Sequence, residues 1–109
     1  MKLSFLYQRV DDLAESVAYY RDALGWEEAW REGTDTVAFW LPNRETQLML
    51  SSTPQPAGPM FLVDSLADWL AEHSDLAIAV PAYDIPGGSV AGLQAPSGHV
   101  VYVFDQPDA

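Results

Sequence analysis

Side chains able to do acid–base, nucleophilic or metal chemistry are few in this chain, and their spacing brings them into no familiar constellation. There is no cysteine, which excludes disulfides, thiolate metal sites and cysteine nucleophiles together. Of the two histidines, His73 falls near the predicted end of a helix, where an imidazole meets terminal carbonyls or solvent. His99 follows the turn residue Gly98 and could act as a general base only on a substrate that reached it. Two histidines without a suitably spaced carboxylate do not make a metal site. Ser51, Ser52 and Ser97 have no activating base nearby in sequence, so nucleophilic catalysis has no support. Pro86-Gly87-Gly88 reads as a turn, because a phosphate loop needs a strand before it and a helix after it. Glu28, Glu32, Asp35, Asp84 and Asp105 fall on strands or turns, either solvated or at the rim of a cleft. The distinctive residues that remain are aromatic: four Trp, five Tyr and four Phe. Their chemistry is stacking and cation–π attraction rather than bond making.

Composition narrows the classes further. At 109 residues with 49% apolar content, the chain is a single globular domain with one real core. Five Lys and Arg against sixteen Asp and Glu give a net charge of -11. A surface this acidic is unsuited to nucleic acid, whose phosphates need basic partners. The charge has two readings, solubility or attraction for cationic ligands, and on charge alone solubility is the preferred one. The opening apolar run is too short for a signal peptide, and no stretch reaches the roughly 20 apolar residues of a membrane span. A cytoplasmic location, with neither nucleic acid nor membrane as partner, is expected.

An internal repeat organises the elements that must carry these residues. Val10-Asp-Asp-Leu-Ala-Glu-Ser-Val-Ala-Tyr-Tyr20 returns 53 positions later as Val63-Asp-Ser-Leu-Ala-Asp-Trp-Leu-Ala-Glu-His73. One supersecondary unit is therefore used twice, and neither copy could bury its apolar face alone. The first unit, residues 2–53, reads as a strand over 3–10, a helix capped by Asp11 or Asp12 and ended by Gly25, and strands over 26–31, 36–41 and 46–51. Leu13, Val17, Tyr20 and Leu24 form the helix's buried stripe. A proline-rich link follows. The second unit, residues 58–106, reads as a strand over 60–63, a helix capped by Asp64 or Ser65 that runs to about 74, and strands over 76–83, 89–95 and 100–105. Leu66, Trp69 and Leu70 make its apolar face. The fold class is α+β: two βαβββ units forming a curved mixed sheet around a cleft, with the helices on the convex face.

Paired βαβββ units of this size resemble the vicinal oxygen chelate superfamily, which includes glyoxalase I, bleomycin-resistance proteins and extradiol dioxygenases. The segment Val10 to Gly25, with its Asp-Leu, Ser, Tyr-Tyr, Arg-Asp and Leu-Gly, and the closing Ala95-Pro-Ser-Gly-His99 carry the resemblance. The resemblance implies four metal ligands, on the first, fourth, fifth and eighth strands. They would fall on Phe5, on Met49 (or Leu48 or Leu50 after a one-residue slip), on Gly58 and on Tyr102. None offers the oxygen or imidazole donor that a divalent cation needs. Neither a metal nor any other cofactor is expected.

Strand alternation then says what shares the face of those positions. Leu3 and Tyr7 accompany Phe5; Trp26, Glu28 and Trp30 share one face; Ala38 accompanies Trp40; Gln47 and Ser51 accompany Met49; Val100 and Phe104 accompany Tyr102. Leu6, Val10, Phe39, Leu48, Leu50, Val101 and Val103 fall opposite, under the helices. The expected ligand-binding residues are Phe5, Tyr7, Trp26, Glu28, Trp30, Trp40, Met49, Tyr102 and Phe104. Such residues serve equally as core or as a dimer interface. The resemblance implies a homodimer, since family members commonly complete their clefts across a subunit interface. The expected function is metal-independent binding of a small aromatic or cationic molecule, such as a sequestered antibiotic, with no catalytic residue. The alternatives are a glyoxalase- or dioxygenase-type enzyme, a metal-free isomerase or cyclase using His99 or Tyr102, and a protein-interaction module.

Overall fold

The computed structural model describes residues 1–108. Each repeat folds as its pattern of apolar residues dictates. In the first, β1 (Lys2–Arg9) leads into helix α1 (Leu13–Ala18), and β2 (Glu28–Glu32), β3 (Thr36–Trp40) and β4 (Gln47–Ser51) follow. In the second, β5 (Gly58–Leu62) leads into α2 (Leu66–Glu72), then β6 (Ile78–Ile85), β7 (Gly88–Gln94) and β8 (Val100–Asp105). The chain divides into two compact units, one of residues 4–57 and one of residues 1–3 with the chain from Gly58 onward. Both are βαβββ repeats, and the fold is α+β.

Within the N-terminal unit the strands run in the order β2-β3-β4-β1, with β1 and β4 parallel and the other neighbours antiparallel. The C-terminal unit repeats this mixed order as β6-β7-β8-β5. The repeat extends to register: Tyr7 lies opposite Met49 in one parallel pair, and Met60 and Tyr102, each 53 positions later, face one another in the other.

Both helices begin where a short polar side chain can take up a free backbone N–H. Asp12 Oδ1 accepts from the Glu15 N–H at 3.0 Å, and Ser65 Oγ accepts from the Asp68 N–H at 3.3 Å. Gly25, at φ 71°, occupies the left-handed position after the first helix, a conformation open to glycine at little cost. The last turn differs from the sequence expectation. Residues Tyr19–Ala23 form a π-helical turn, in which the Leu24 N–H reaches the Tyr19 carbonyl at 3.0 Å. That wider turn rotates Leu24 off the buried stripe, and it is 43% exposed.

The strands of each unit bury one face beneath that unit's helix. Val17 of α1 packs with Val37, Phe39, Leu48 and Leu50, and Val10, Leu13, Tyr20, Trp26 and Leu41 complete that cluster. In the C-terminal unit Leu66 packs with Ala91 and Val103, flanked by Val63, Trp69, Leu70 and Leu93. Val10, Phe39, Leu48, Leu50 and Val103 thus lie under the helices, as strand alternation predicts. Leu6 is 37% exposed.

Two contacts fix the ends of the C-terminal sheet. Asp105, buried at the end of β8, accepts from the Leu66 N–H at 2.6 Å through Oδ2. Its Oδ1 accepts from the Ser89 N–H at 3.0 Å and from the Ser89 hydroxyl at 3.3 Å. This carboxylate thus ties β8 to the start of α2 and to β7, a role its sequence position at a strand end did not reveal. At the other end of the sheet, β5 approaches β8 so closely at Gly58 that a Cβ there would run into the Val100 carbonyl oxygen. Among the described residues no helix is long and apolar enough to cross a membrane.

Candidate functional site

The sheet face turned away from α1 gathers Phe5, Tyr7, Trp30 and Trp40, while Tyr20, Trp26 and Phe39 lie on the helix side. Register places the first four in rows, because residues directly opposite in neighbouring strands share a face. Trp40, Gln47 and Phe5 make one row, and Trp30, Ala38, Met49 and Tyr7 make the next. Ala38, with no side chain beyond Cβ, lets the Trp30 indole reach across it. The Trp30 Nε1–H donates to Gln47 Oε1 at 2.7 Å, and the indole meets Phe5 edge to face, with centroids 6.1 Å apart and planes at 84°. Phe5, Tyr7, Trp30, Trp40, Gln47 and Met49 are all half-buried, so each keeps surface that a ligand can touch. Five of the nine residues expected at the site, Phe5, Tyr7, Trp30, Trp40 and Met49, are brought to this one face.

Trp26 and Glu28 are not. Alternation puts them beside Trp30, but a bulge between Glu28 and Trp30 interrupts the β2–β3 register. Glu28 faces Phe39, on the helix side, while Trp30 faces Ala38. An extra residue in one strand reverses the facing of everything beyond it. Trp26 precedes β2 altogether. Its backbone N–H donates to the Tyr20 carbonyl at 3.0 Å, and its ring lies 5.4 Å from that of Tyr20 in the helix-side cluster. Glu28 forms an ion pair with Arg31, with 2.6 Å between Arg31 Nη2 and Glu28 Oε1. The hydrogen bond from that guanidinium holds the Glu28 carboxyl below its ordinary pKa.

Tyr102 and Phe104 belong to the C-terminal unit, on the face of β8 turned away from α2, and are 2% and 1% exposed. In this chain they offer a ligand almost no surface.

The positions that carry metal ligands in the family that the sequence resembles can now be tested for fit. Phe5 and Tyr102 present rings, and Met49 lies a row beyond Phe5, whose partner on β4 is Gln47. Gly58 presents nothing, and the Val100 carbonyl leaves no room for a Cβ. The one oxygen donor in the Phe5 row, Gln47 Oε1, already accepts from Trp30. Among the described residues no three His, Cys, Asp or Glu side chains converge on a common point. This donor set does not fit a divalent cation.

Two features of the face were not anticipated. A hydroxyl cluster closes one end: Tyr7 Oη and Thr53 Oγ1 are 2.7 Å apart, Thr53 Oγ1 and Ser51 Oγ 2.8 Å, and Thr36 Oγ1 lies 3.2 Å from Ser51 Oγ. Thr53 sits in the proline-rich link, where periodicity gives no guidance. The second is charge. All four arginines pair with carboxylates: Arg9 with Asp11, Arg21 with Asp22, Arg31 with Glu28 and Arg44 with Glu27. The aromatic face therefore has no uncommitted guanidinium to draw an anion.

The histidines lie elsewhere. His73 caps the end of α2, its Nδ1–H donating to the Trp69 carbonyl at 2.8 Å and its ring stacked on Trp69 with centroids 4.0 Å apart. His99, exposed in the β7–β8 hairpin, has Nδ1 3.1 Å from Ser97 Oγ.

Comparison with known proteins agrees with this fold. A protein from Legionella pneumophila described as an NAD-dependent benzaldehyde dehydrogenase superposes with a TM-score of 0.75 at 16% identity, covering 94% of this chain and 97% of its own. A glyoxalase/bleomycin resistance protein/dioxygenase superfamily member from Vibrio splendidus gives 0.66 at 16% identity, covering 93% and 95%. Methylmalonyl-CoA epimerase from Mycobacterium tuberculosis gives 0.65 at 16% identity, covering 95% and 87%. At such identities the likeness concerns the fold alone. No curated protein matches the sequence significantly. The family model described as "Glyoxalase/Bleomycin resistance protein/Dioxygenase superfamily" matches residues 2–108. With repeat, register and profile in agreement over nearly its whole length, the chain belongs to the glyoxalase/bleomycin resistance protein/dioxygenase superfamily.

Proposed function

We propose that this protein binds a small neutral or cationic aromatic molecule without a metal, sequestering it as bleomycin-resistance members of the superfamily do an antibiotic. The observation that carries the reading is the row structure of the N-terminal sheet. Phe5, Tyr7, Trp30, Trp40 and Met49 stand half-buried on one face, around a single oriented amide. Flat apolar walls with a few fixed polar groups are what a small-molecule site requires. Each stacked ring contributes about 0.5–1.5 kcal/mol beyond its buried area, and a desolvated cation–π contact about 2 kcal/mol, so several together reach micromolar affinity. The net charge of -11 and the committed arginines favour cations over anions. A cytoplasmic homodimer is the form in which we expect the protein to act.

A thermal-shift screen of planar aromatic and cationic antibiotics beside a set of divalent metals, each with and without EDTA, tests the reading. A ligand at 100 times its Kd adds about 2.7 kcal/mol, a shift of several degrees in a domain of this size. The expected result is stabilisation by an aromatic compound that EDTA leaves unchanged. Stabilisation by a metal alone, lost with EDTA, would point instead to a metal-dependent enzyme.

A further inference from the structure

Resting on that binding reading, we infer that the Trp30–Gln47 pair makes the aromatic face selective for ligands carrying a hydrogen-bond acceptor at the ring edge. Which atom of Gln47 is committed decides what the amide can offer a ligand. An indole N–H can only donate, so the Gln47 atom 2.7 Å from Trp30 Nε1 must be the amide oxygen. The amide is thereby fixed, with its NH2 directed away from Trp30. Among the described residues Gln47 Nε2 meets no acceptor, and the side chain is half-buried between Phe5 and Trp40 in its row. Two N–H donors therefore stand between two aromatic walls.

A ligand lying on these walls brings its edge to the amide. A carbonyl oxygen or pyridine-type nitrogen there completes the Gln47 hydrogen bonds. An N–H or ammonium group meets like polarity and leaves buried donors unpaired, the costlier error. Binding energy from the rings is indifferent to this choice, so the amide sets polarity while the rings set affinity. Any positive charge on the ligand belongs at its other end. Trp30 is a positioning residue in this scheme as well as a wall, because its N–H decides which way the amide points.

Three isosteric planar probes separate the possibilities: 9-fluorenone with an acceptor carbonyl, fluorene with neither group, and carbazole with a donor N–H. Their affinities for the whole protein are read by quenching of tryptophan fluorescence. The wild type is expected to prefer 9-fluorenone over carbazole by about tenfold. Gln47→Glu keeps an oxygen for Trp30 but turns an acceptor outward, so it should reverse the order. Trp30→Phe keeps a ring but releases the amide, and should bring the two affinities together. Equal binding of all three probes by the wild type, or an order that Gln47→Glu leaves unchanged, overturns the inference and spares the binding reading. Failure of every probe and of every compound in the thermal-shift screen overturns both.

Discussion

Replacing Asp105 with alanine is expected to destabilise the protein by about 3 kcal/mol or more, the sum of several charge-assisted hydrogen bonds lost at once. Asp105 is 7% exposed, and its carboxylate accepts from the backbone N–H groups of Leu66 and Ser89 and from the Ser89 hydroxyl. Leu66 is itself 1% exposed, so its N–H is a buried donor that loses its partner once the carboxylate is gone. A buried donor left unpaired costs about 1–3 kcal/mol by itself. Asp105→Asn separates the contributions. Its amide retains one acceptor oxygen, so about half the loss is expected, with the NH2 facing a donor it cannot satisfy. Urea denaturation followed by circular dichroism measures both variants, and a domain of this size should lose more than 10 °C in Tm with alanine. A change within about 0.5 kcal/mol, the range of an ordinary surface substitution, would show that Asp105 does not tie α2, β7 and β8 together.

A second large effect is expected at Gly58, where the effect is steric. A methyl group would overlap the Val100 carbonyl oxygen, while the Tyr102 ring edge, 3.5 Å from the position of the added carbon, would only be in ordinary contact with it. A backbone carbonyl in a strand pair cannot swing aside as a flexible side chain can. Gly58→Ala should therefore cost about 3 kcal/mol, the upper part of the usual range for overpacking. The same contact bears on metal binding. Gly58→His would supply a ligand-type side chain where the superfamily resemblance calls for one, yet it must first displace β8. That variant is expected to unfold at lower denaturant than wild type and to gain no stability from added Zn2+ or Ni2+. Gly58→Ala with wild-type stability would mean that β5 has room to move and that a metal position could be rebuilt there.

Much of the fold was legible because its signals are local. Asp12 and Ser65 sit three residues before the N–H each accepts, and alternation within strands needs only two neighbours to reveal the faces. The 53-residue repeat then gave the order of elements in both halves, and the structure adds that the two copies also share their parallel pairing. Of the candidate site, only the facing of its residues was open to reading, and that in part. Phe5, Tyr7, Trp30, Trp40 and Met49 follow from alternation alone. Trp26 and Glu28 did not, because the bulge near Ala29 leaves no mark in residue type, and a single inserted residue reverses the facing of the strand. Leu24 failed for a similar reason, through the π-helical turn that precedes it. Asp105 and Leu66 are 39 residues apart, and the carboxylate at a strand end looks like any solvated one until the helix start is placed above it. Gln47 was visible on its strand, but its significance depends on an indole two strands away.

The most direct test of the account is an equilibrium titration of metal-stripped protein, held in EDTA, with the aromatic compound that gives the largest thermal shift. Wild type is predicted to bind with a Kd that added Zn2+, Mn2+ or Fe2+ does not change. Trp30→Ala, which removes a stacking wall and the partner of the Gln47 amide, should bind about ten- to a hundredfold more weakly. Binding that appears only when a divalent cation is restored, or an affinity that survives the loss of Trp30 unchanged, would contradict the assignment of this face as a metal-independent aromatic site.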